Sequence, residues 1–175
     1  MLRFKYLSLF ILLIVAGCQK EGVGIRFNMD YNTSFTVESG NILSLPLDFF
    51  TPDVTTNSEA EFAANDTRKD KIQEIKLTSL VLKTKESSGA NFDFLKHVYL
   101  YIKADGVDEK RYAFKENVAN GVSLINLEVV DVNLAEYIKQ DAFSLRAECV
   151  TDKTLSQDLE VDAEMVFAVK ANPLK

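Results

Sequence analysis

The chain has 175 residues, with 20 Lys and Arg against 26 Asp and Glu, one His, two Cys and no Trp. An acidic chain with no basic cluster lacks the Lys/Arg density that displaces counterions from nucleic acid, and equally the polybasic charge that docks on anionic lipid. One domain is the natural count: a chain near this length buries roughly 70% of its unfolded surface and needs no disulfide to be stable.

Read from the start, Arg3 and Lys5 are followed by an apolar run over residues 6–15, interrupted only by Ser8. This is the charged n-region and short h-region of a secretory signal. Crossing a bilayer takes about 20 apolar residues, so the run is too short to be a span. It ends on Ile14-Val15-Ala16-Gly17-Cys18 and is closed by Gln19-Lys20-Glu21. The aliphatic, small, small, Cys sequence resembles the lipobox of bacterial lipoproteins. The resemblance covers the first 18 residues and implies cleavage by signal peptidase II between Gly17 and Cys18. It also implies a diacylglyceryl thioether on Cys18 and a further acyl chain, such as palmitate, on the new amine. The residue types suit that chemistry, because small side chains admit a protease and a thiol is a soft nucleophile. Several acyl chains on one residue meet the requirement for a stable anchor.

Gln19 in place of Asp is similar to an outer-membrane sorting signal. Lys20-Glu21 resembles the start of a surface-export signal of Bacteroidota lipoproteins, and the choice between periplasmic face and cell surface stays open. The expected organisation is a signal peptide over 1–17, the lipidated Cys and a short tether over 18–26, and a folded domain over 27–175. The seven residues 19–25 reach about 25 Å at full extension, which keeps the domain near the bilayer. Losing Arg3 and Lys5 leaves 158 residues with 18 basic and 26 acidic side chains, a net charge of −8.

Beyond the tether the chain reads as strand after strand. Tyr31, Thr33, Phe35 and Val37 alternate with Asn32, Ser34 and Thr36, and Ser39-Gly40-Asn41 turns the chain. Leu43, Leu45, Leu47 and Phe49 share the next inward face; Pro46 cannot donate to a ladder, which predicts an edge strand or a bulge. Ser58-Glu59-Ala60-Glu61 has capping-box spacing ahead of Phe62, predicting a short helix. From Ile72 to Lys85 the apolar parity changes between Ile75, Leu77 and Leu80, Leu82, as a bulge near Thr78-Ser79 produces. Ser87-Ser88-Gly89 turns into Phe92, Phe94, Val98, Leu100 and Ile102.

Asp105-Gly106 opens a loop before Tyr112 and Phe114. Asn120-Gly121 is a hairpin signal leading to Ile125, Leu127 and Val129. Leu134, Tyr137 and Ile138 have helical spacing. Phe143, Leu145, Ala147 and Cys149 make another strand, with Cys149 as a small core residue. The last strand is the clearest, with Leu155, Leu159, Val161, Ala163, Met165, Phe167, Val169 and Ala171 on one parity.

About eight strands, short turns and one or two short helices predict an all-β fold, an antiparallel β-sandwich. The rhythm resembles small Bacteroidota lipoproteins with immunoglobulin-like or LEA-type sandwich domains, a resemblance that implies fold and not function.

His97, Tyr99, Tyr101 and Lys103 fall on the face opposite Val98, Leu100 and Ile102. A lone histidine is a candidate base or ligand, but zinc takes three or four N/S ligands, and no other imidazole is available. His97 therefore reads as a surface or loop-shielded residue. Tyr99 and Tyr101 form a candidate stacking platform for a sugar, or a pair covering a crossing segment. Asp158, Glu160, Asp162 and Glu164 make an acidic row on the last strand. A straight strand spreads these carboxylates where Ca²⁺ needs converging oxygens, so they read as a solvated face with partners such as Arg146 that discourages edge pairing.

Asn28-x-Asp30-x-Asn32 has Thr33 and Ser39 where a calcium loop needs Gly and Glu, and is discounted. Asp105-Gly106-Val107-Asp108-Glu109 reads as a hairpin loop. No Gly-x-Ser-x-Gly, Cys–His set or phosphate-binding glycine loop is present. The expectation is a lipid-anchored outer-membrane lipoprotein acting as a non-enzymatic binding or assembly module for an envelope protein partner, without cofactor or metal. A carbohydrate- or surface-ligand-binding module is the alternative, and a carboxylate-based hydrolase the third reading.

Overall fold

A computed structural model describes residues 24–40, 47–50, 54–55, 58–85, 91–140, 142–151 and 153–174. Outside them lie the signal, Cys18 and its flanking residues, Leu43, Leu45, Pro46 and the Ser87-Ser88-Gly89 turn. The fold is the expected all-β sandwich of two antiparallel sheets.

The first sheet is built on the last strand, β10 (Leu159–Ala171), which lies between β1 (Ile25–Val37) and β4 (Ile72–Thr84); β7 (Leu124–Asn126) completes the order β1-β10-β4-β7. Strict alternation along β10 buries Leu159, Val161, Ala163, Met165, Phe167, Val169 and Ala171, all no more than 6% exposed. Each of the larger of these side chains stabilises the fold by roughly 1.5–3 kcal/mol. β1 begins at Ile25, earlier than the alternation from Tyr31 suggests, and pairs with β10 without interruption from Ile25↔Ala171 to Val37↔Leu159. β4 carries the expected bulge. Leu77 faces Phe167 and Ser79 faces Val166, leaving Thr78 as the extra residue, with its Oγ1 donating to the Val166 carbonyl at 2.9 Å. The bulge keeps Ile75, Leu77, Leu80 and Leu82 all buried despite their change of parity.

The second sheet runs β2 (Leu47–Phe50), β9 (Ala142–Thr151), β5 (Leu95–Ala104), β6 (Val107–Glu116), β8 (Glu128–Val129), with β3 (Val54–Thr55) also on β9. β2 stands at the end of that order, the edge position that Pro46 predicts for its strand. Asp105 and Gly106 form a two-residue turn, with Gly106 at φ 68°, so the expected loop is a tight hairpin. A second expectation is corrected. Asn120-Gly121 does turn, with Gly121 at φ 77°, but it joins no hairpin. β6 pairs with β5 and β8, whereas β7 pairs with β4 in the opposite sheet. Asp93 accepts from Gly121 N, and Phe92 N donates to the Val122 carbonyl at 2.9 Å. These contacts lead the chain across the sandwich end. At Leu127, whose N donates to the Leu80 carbonyl at 3.0 Å, it returns to pair with β6 as β8. One strand switching sheets in this way makes a corner.

The expected short helices are α1 (Ser58–Ala64) and α2 (Ala135–Ile138). α1 is pinned by Phe62, which is wholly buried, and a 3-10 turn follows at Lys69–Lys71. Leu134, Ala135, Tyr137 and Ile138 seat α2 in the core. Asn133 fastens it: its Oδ1 accepts from Ile75 N at 3.1 Å and Ala135 N at 3.0 Å, at the second irregularity of β4 near Gln73.

Candidate functional site

Alternation along β5 turns Val98, Leu100 and Ile102 inward and sets His97, Tyr99, Tyr101 and Lys103 on the outside. Its neighbours complete the rows. Tyr99 stands between Phe114 and Glu148, and Tyr101 between Arg111 and Arg146. Phe114 and Arg111 differ in parity, so a regular strand would send them to opposite faces. The register breaks between Leu100 and Tyr101, making Tyr112 a bulge residue that turns into the core at 3% exposure. Sequence reasoning missed Phe114 and Arg111 as companions of the tyrosines for this reason. In the sequence, the adjacent apolar pair Tyr112-Ala113, which interrupts strict alternation, is the signal that could have found it; the structure buries both.

The site is a layer of guanidinium over aromatic rings. Tyr99 and Phe114 lie nearly parallel, at 16°, with centroids 6.4 Å apart. Arg111 Cζ sits 5.7 Å from the Tyr99 centroid and 5.2 Å from that of Phe114; Arg146 Cζ sits 4.0 Å from Tyr101. All three lie within cation–π range. Arg146 is held from both sides, with Nε and Nη2 donating to Glu109 at 2.8 and 2.7 Å and Nη1 to Glu148 at 3.4 Å. That fork holds the Glu109 carboxyl below its ordinary range. Tyr99 OH donates to Glu116 Oε1 at 2.8 Å, which pushes the phenol up because its anion would face a carboxylate. Arg111 is exposed, and no ion pair to it is found among the described residues.

His97 serves a turn. Its Nδ1 accepts from Asn117 N at 3.2 Å, where Asn117 takes φ 53°. Among the described residues no group of three or more His, Cys, Asp and Glu could hold a metal ion. Asn28, Asp30 and Asn32 follow one another along the outer face of β1, while Glu109 is taken by Arg146.

The acidic row is solvated and paired, but not by the expected partner. Glu164 meets Lys83 at 2.6 Å, Glu160 meets Lys85 at 2.8 Å, and Asp162 accepts from Ser34 Oγ at 2.6 Å. Ser39 N donates to Asp158 at 2.7 Å and draws its carboxyl below the usual range. Arg146 belongs to the other sheet, and β10 is a central strand, so this row guards no edge.

Among the described residues, two of the cavities open between the sheets. One of about 70 Å³ is walled by residues such as Met29, Tyr112, Leu134 and Phe167, with Asp30 and Glu61 bordering it. The other, about 510 Å³, lies against Ala147 and Cys149, the residues that β2 pairs with through Phe49 and Leu47. Both are lined mainly by apolar residues. The polar and aromatic groups that converge do so on the outside of β5, β6 and β9.

No protein family and no curated protein sequence matches the chain. Among solved structures, one of Desmodium yellow mottle tymovirus aligns over 100% of this chain and 98% of its own, at 12% identity and a TM-score of 0.29. One of turnip yellow mosaic virus aligns over 85% of this chain and 97% of its own, at 9% identity and a TM-score of 0.27. Similarity at that level carries no argument about fold or function.

Proposed function

We propose that the protein is a lipid-anchored lipoprotein of the bacterial outer membrane. Its sandwich acts as a non-enzymatic binding or assembly module, and it meets an envelope protein partner through the outer face of the six-stranded sheet. The observation that carries the binding reading is Arg111 laid over Tyr99 and Phe114 on an exposed surface. Aromatic rings and arginine are the residue types that dominate protein–protein hot spots. A guanidinium already ordered on a ring loses less entropy when it takes up a partner's carboxylate. The anchor reading rests on Val15-Ala16-Gly17-Cys18 after the short apolar run.

The test is cross-linking of whole cells with a photoreactive residue at Lys103, beside the layer. Specific envelope proteins are expected, and Arg111→Ala reduces their capture about tenfold, the scale of one hot-spot side chain. Unchanged capture would sink the assignment of this face. Cys18→Ala is expected to leave an unprocessed precursor that takes up no labelled fatty acid; normal labelling refutes the anchor.

A second reading, glycan binding, is favoured by the near-parallel rings of Tyr99 and Phe114 with Tyr101 on the same strand. It requires Arg111 to leave the ring faces. A glycan array on which Tyr99→Ala removes the signal distinguishes it.

A further inference from the structure

The sheets' outer strands are unequal. At the ends of the two sheets, β2, β7 and β8 have four, three and two residues, whereas β1 has 13. β1 pairs with β10 along its whole length, and among the described residues no strand covers its other side. Natural edges are blunted by lysine, proline, bulges or shortness. β1, Ile-Arg-Phe-Asn-Met-Asp-Tyr-Asn-Thr-Ser-Phe-Thr-Val, has no lysine or proline, and its register with β10 is unbroken. Its inner face keeps Phe27, Tyr31 and Phe35 only partly buried. This edge presents main-chain donors and acceptors over about 40 Å, and along its first half Phe27 and Tyr31 are apolar side chains that an added strand would cover.

We infer that β1 pairs antiparallel with β1 of a second copy of this chain, joining the two four-stranded sheets into one of eight. Face matching restricts the register, because a slip by one residue would set apolar side chains against polar ones. Charge restricts it further, since Arg26 and Asp30 are the charged residues of β1, four apart on the outer face. A dyad through Asn28 pairs residues 25–31 of the two copies, about half of β1, and places each Arg26 opposite Asp30 of the other copy, Phe27 opposite Met29 and Ile25 opposite Tyr31. Dyads through Arg26 or Asp30 would oppose like charges directly. One through Tyr31 would overlap the whole strand, but it sets the two Asp30 carboxylates diagonally across from each other and gives Arg26 no carboxylate. The interface is self-complementary, as a twofold pair requires.

The test uses the full chain purified in detergent, with mass measured by light scattering across a dilution series. A dimer is expected. Arg26→Asp and Asp30→Arg each weaken it about tenfold, since each turns two attractive cross-strand pairs into repulsive ones. The double variant restores it. Asn28→Cys is expected to form an intermolecular disulfide under mild oxidation, joining the two introduced thiols at the dyad. Thr36→Cys serves as the off-dyad control, and the wild-type chain as the control for Cys18 and Cys149. A monomer at every concentration overturns the inference. So does a dimer indifferent to the charge swaps, or an Asn28→Cys variant that forms no link beyond the wild-type control; recovery of a different protein bound at this edge overturns the choice of a second copy.

Discussion

On the outside of the four-stranded sheet, Lys83 and Glu164 meet at 2.6 Å with side chains 39% and 48% exposed. On the outside of the six-stranded sheet, Arg146 meets Glu109 at 2.7 Å and is 15% exposed, with a tyrosine ring beneath its guanidinium. Both are surface ion pairs by distance. The first is a long, strongly hydrated ammonium in water, where Coulomb attraction is nearly cancelled by solvation and side-chain entropy. The second is a planar cation stacked on a ring and gripped at its rim by a carboxylate, partly dry and fixed in orientation. Charge alone therefore does not distinguish the two faces; order does. The lysine-paired row leaves its side chains in water, whereas the arginine-on-ring layer holds its guanidinium in one place.

The contrast can be broken most severely at the bulge that creates it. Tyr112→Ala is expected to cost about 3–5 kcal/mol in urea denaturation, the scale of truncating a buried aromatic. Because Tyr112 turning inward is what places Phe114 and Arg111 together, the variant also loses partner capture. Burial holds the Tyr112 phenol far above its ordinary value of 10. The unfolded chain ionises it first, so its contribution is complete below pH 10 and falls away as pH rises towards its folded value. Tyr112→Phe should remove much of the resulting alkaline destabilisation; an unchanged alkaline limb would contradict the burial.

Arg146→Ala should cost about 1–2 kcal/mol, allowing for the partial solvent screening of Glu109. It carries a signature in acid. Glu109 has a folded pKa below its ordinary 4.5. Its contribution is therefore present above that value and lost as pH falls through the folded one, and Arg146→Ala should flatten the acid limb of stability against pH. Lys83→Ala on the other sheet should stay within about 0.5 kcal/mol, and equal costs for the two substitutions would erase the distinction. The smallest effect is expected at Cys149, 8% exposed in the core. Native protein should resist thiol alkylation until denatured, and rapid modification would displace Cys149 from the interior.

Much of the fold was legible because it is a consequence of period two. β10 declared its buried face by uninterrupted alternation, and β4 declared its bulge by a change of parity. The site was half legible, since Tyr99 and Tyr101 share a strand and a parity. Its other half arrives from β6, across a register break, and from β9 in regular register, and neither pairing is written in β5 itself. Asn120-Gly121 shows the same limit from another side. The dipeptide dictates that the chain turns, because glycine accepts the positive φ. Which strands it joins depends on Asp93, Val122 and the Leu80 carbonyl.

By itself the sequence determined which residues face the core, where the chain bends and, through its opening residues, the expectation of an envelope address. Those are local properties, written in side-chain period, backbone freedom and short motifs. Tertiary structure alone decided that Arg111 lies over Tyr99, that Arg146 serves Glu109 instead of the acidic row, and that β1 is the long edge among the described residues. Each depends on which strands become neighbours, and that follows from burying the whole core at once, not from any one stretch of chain.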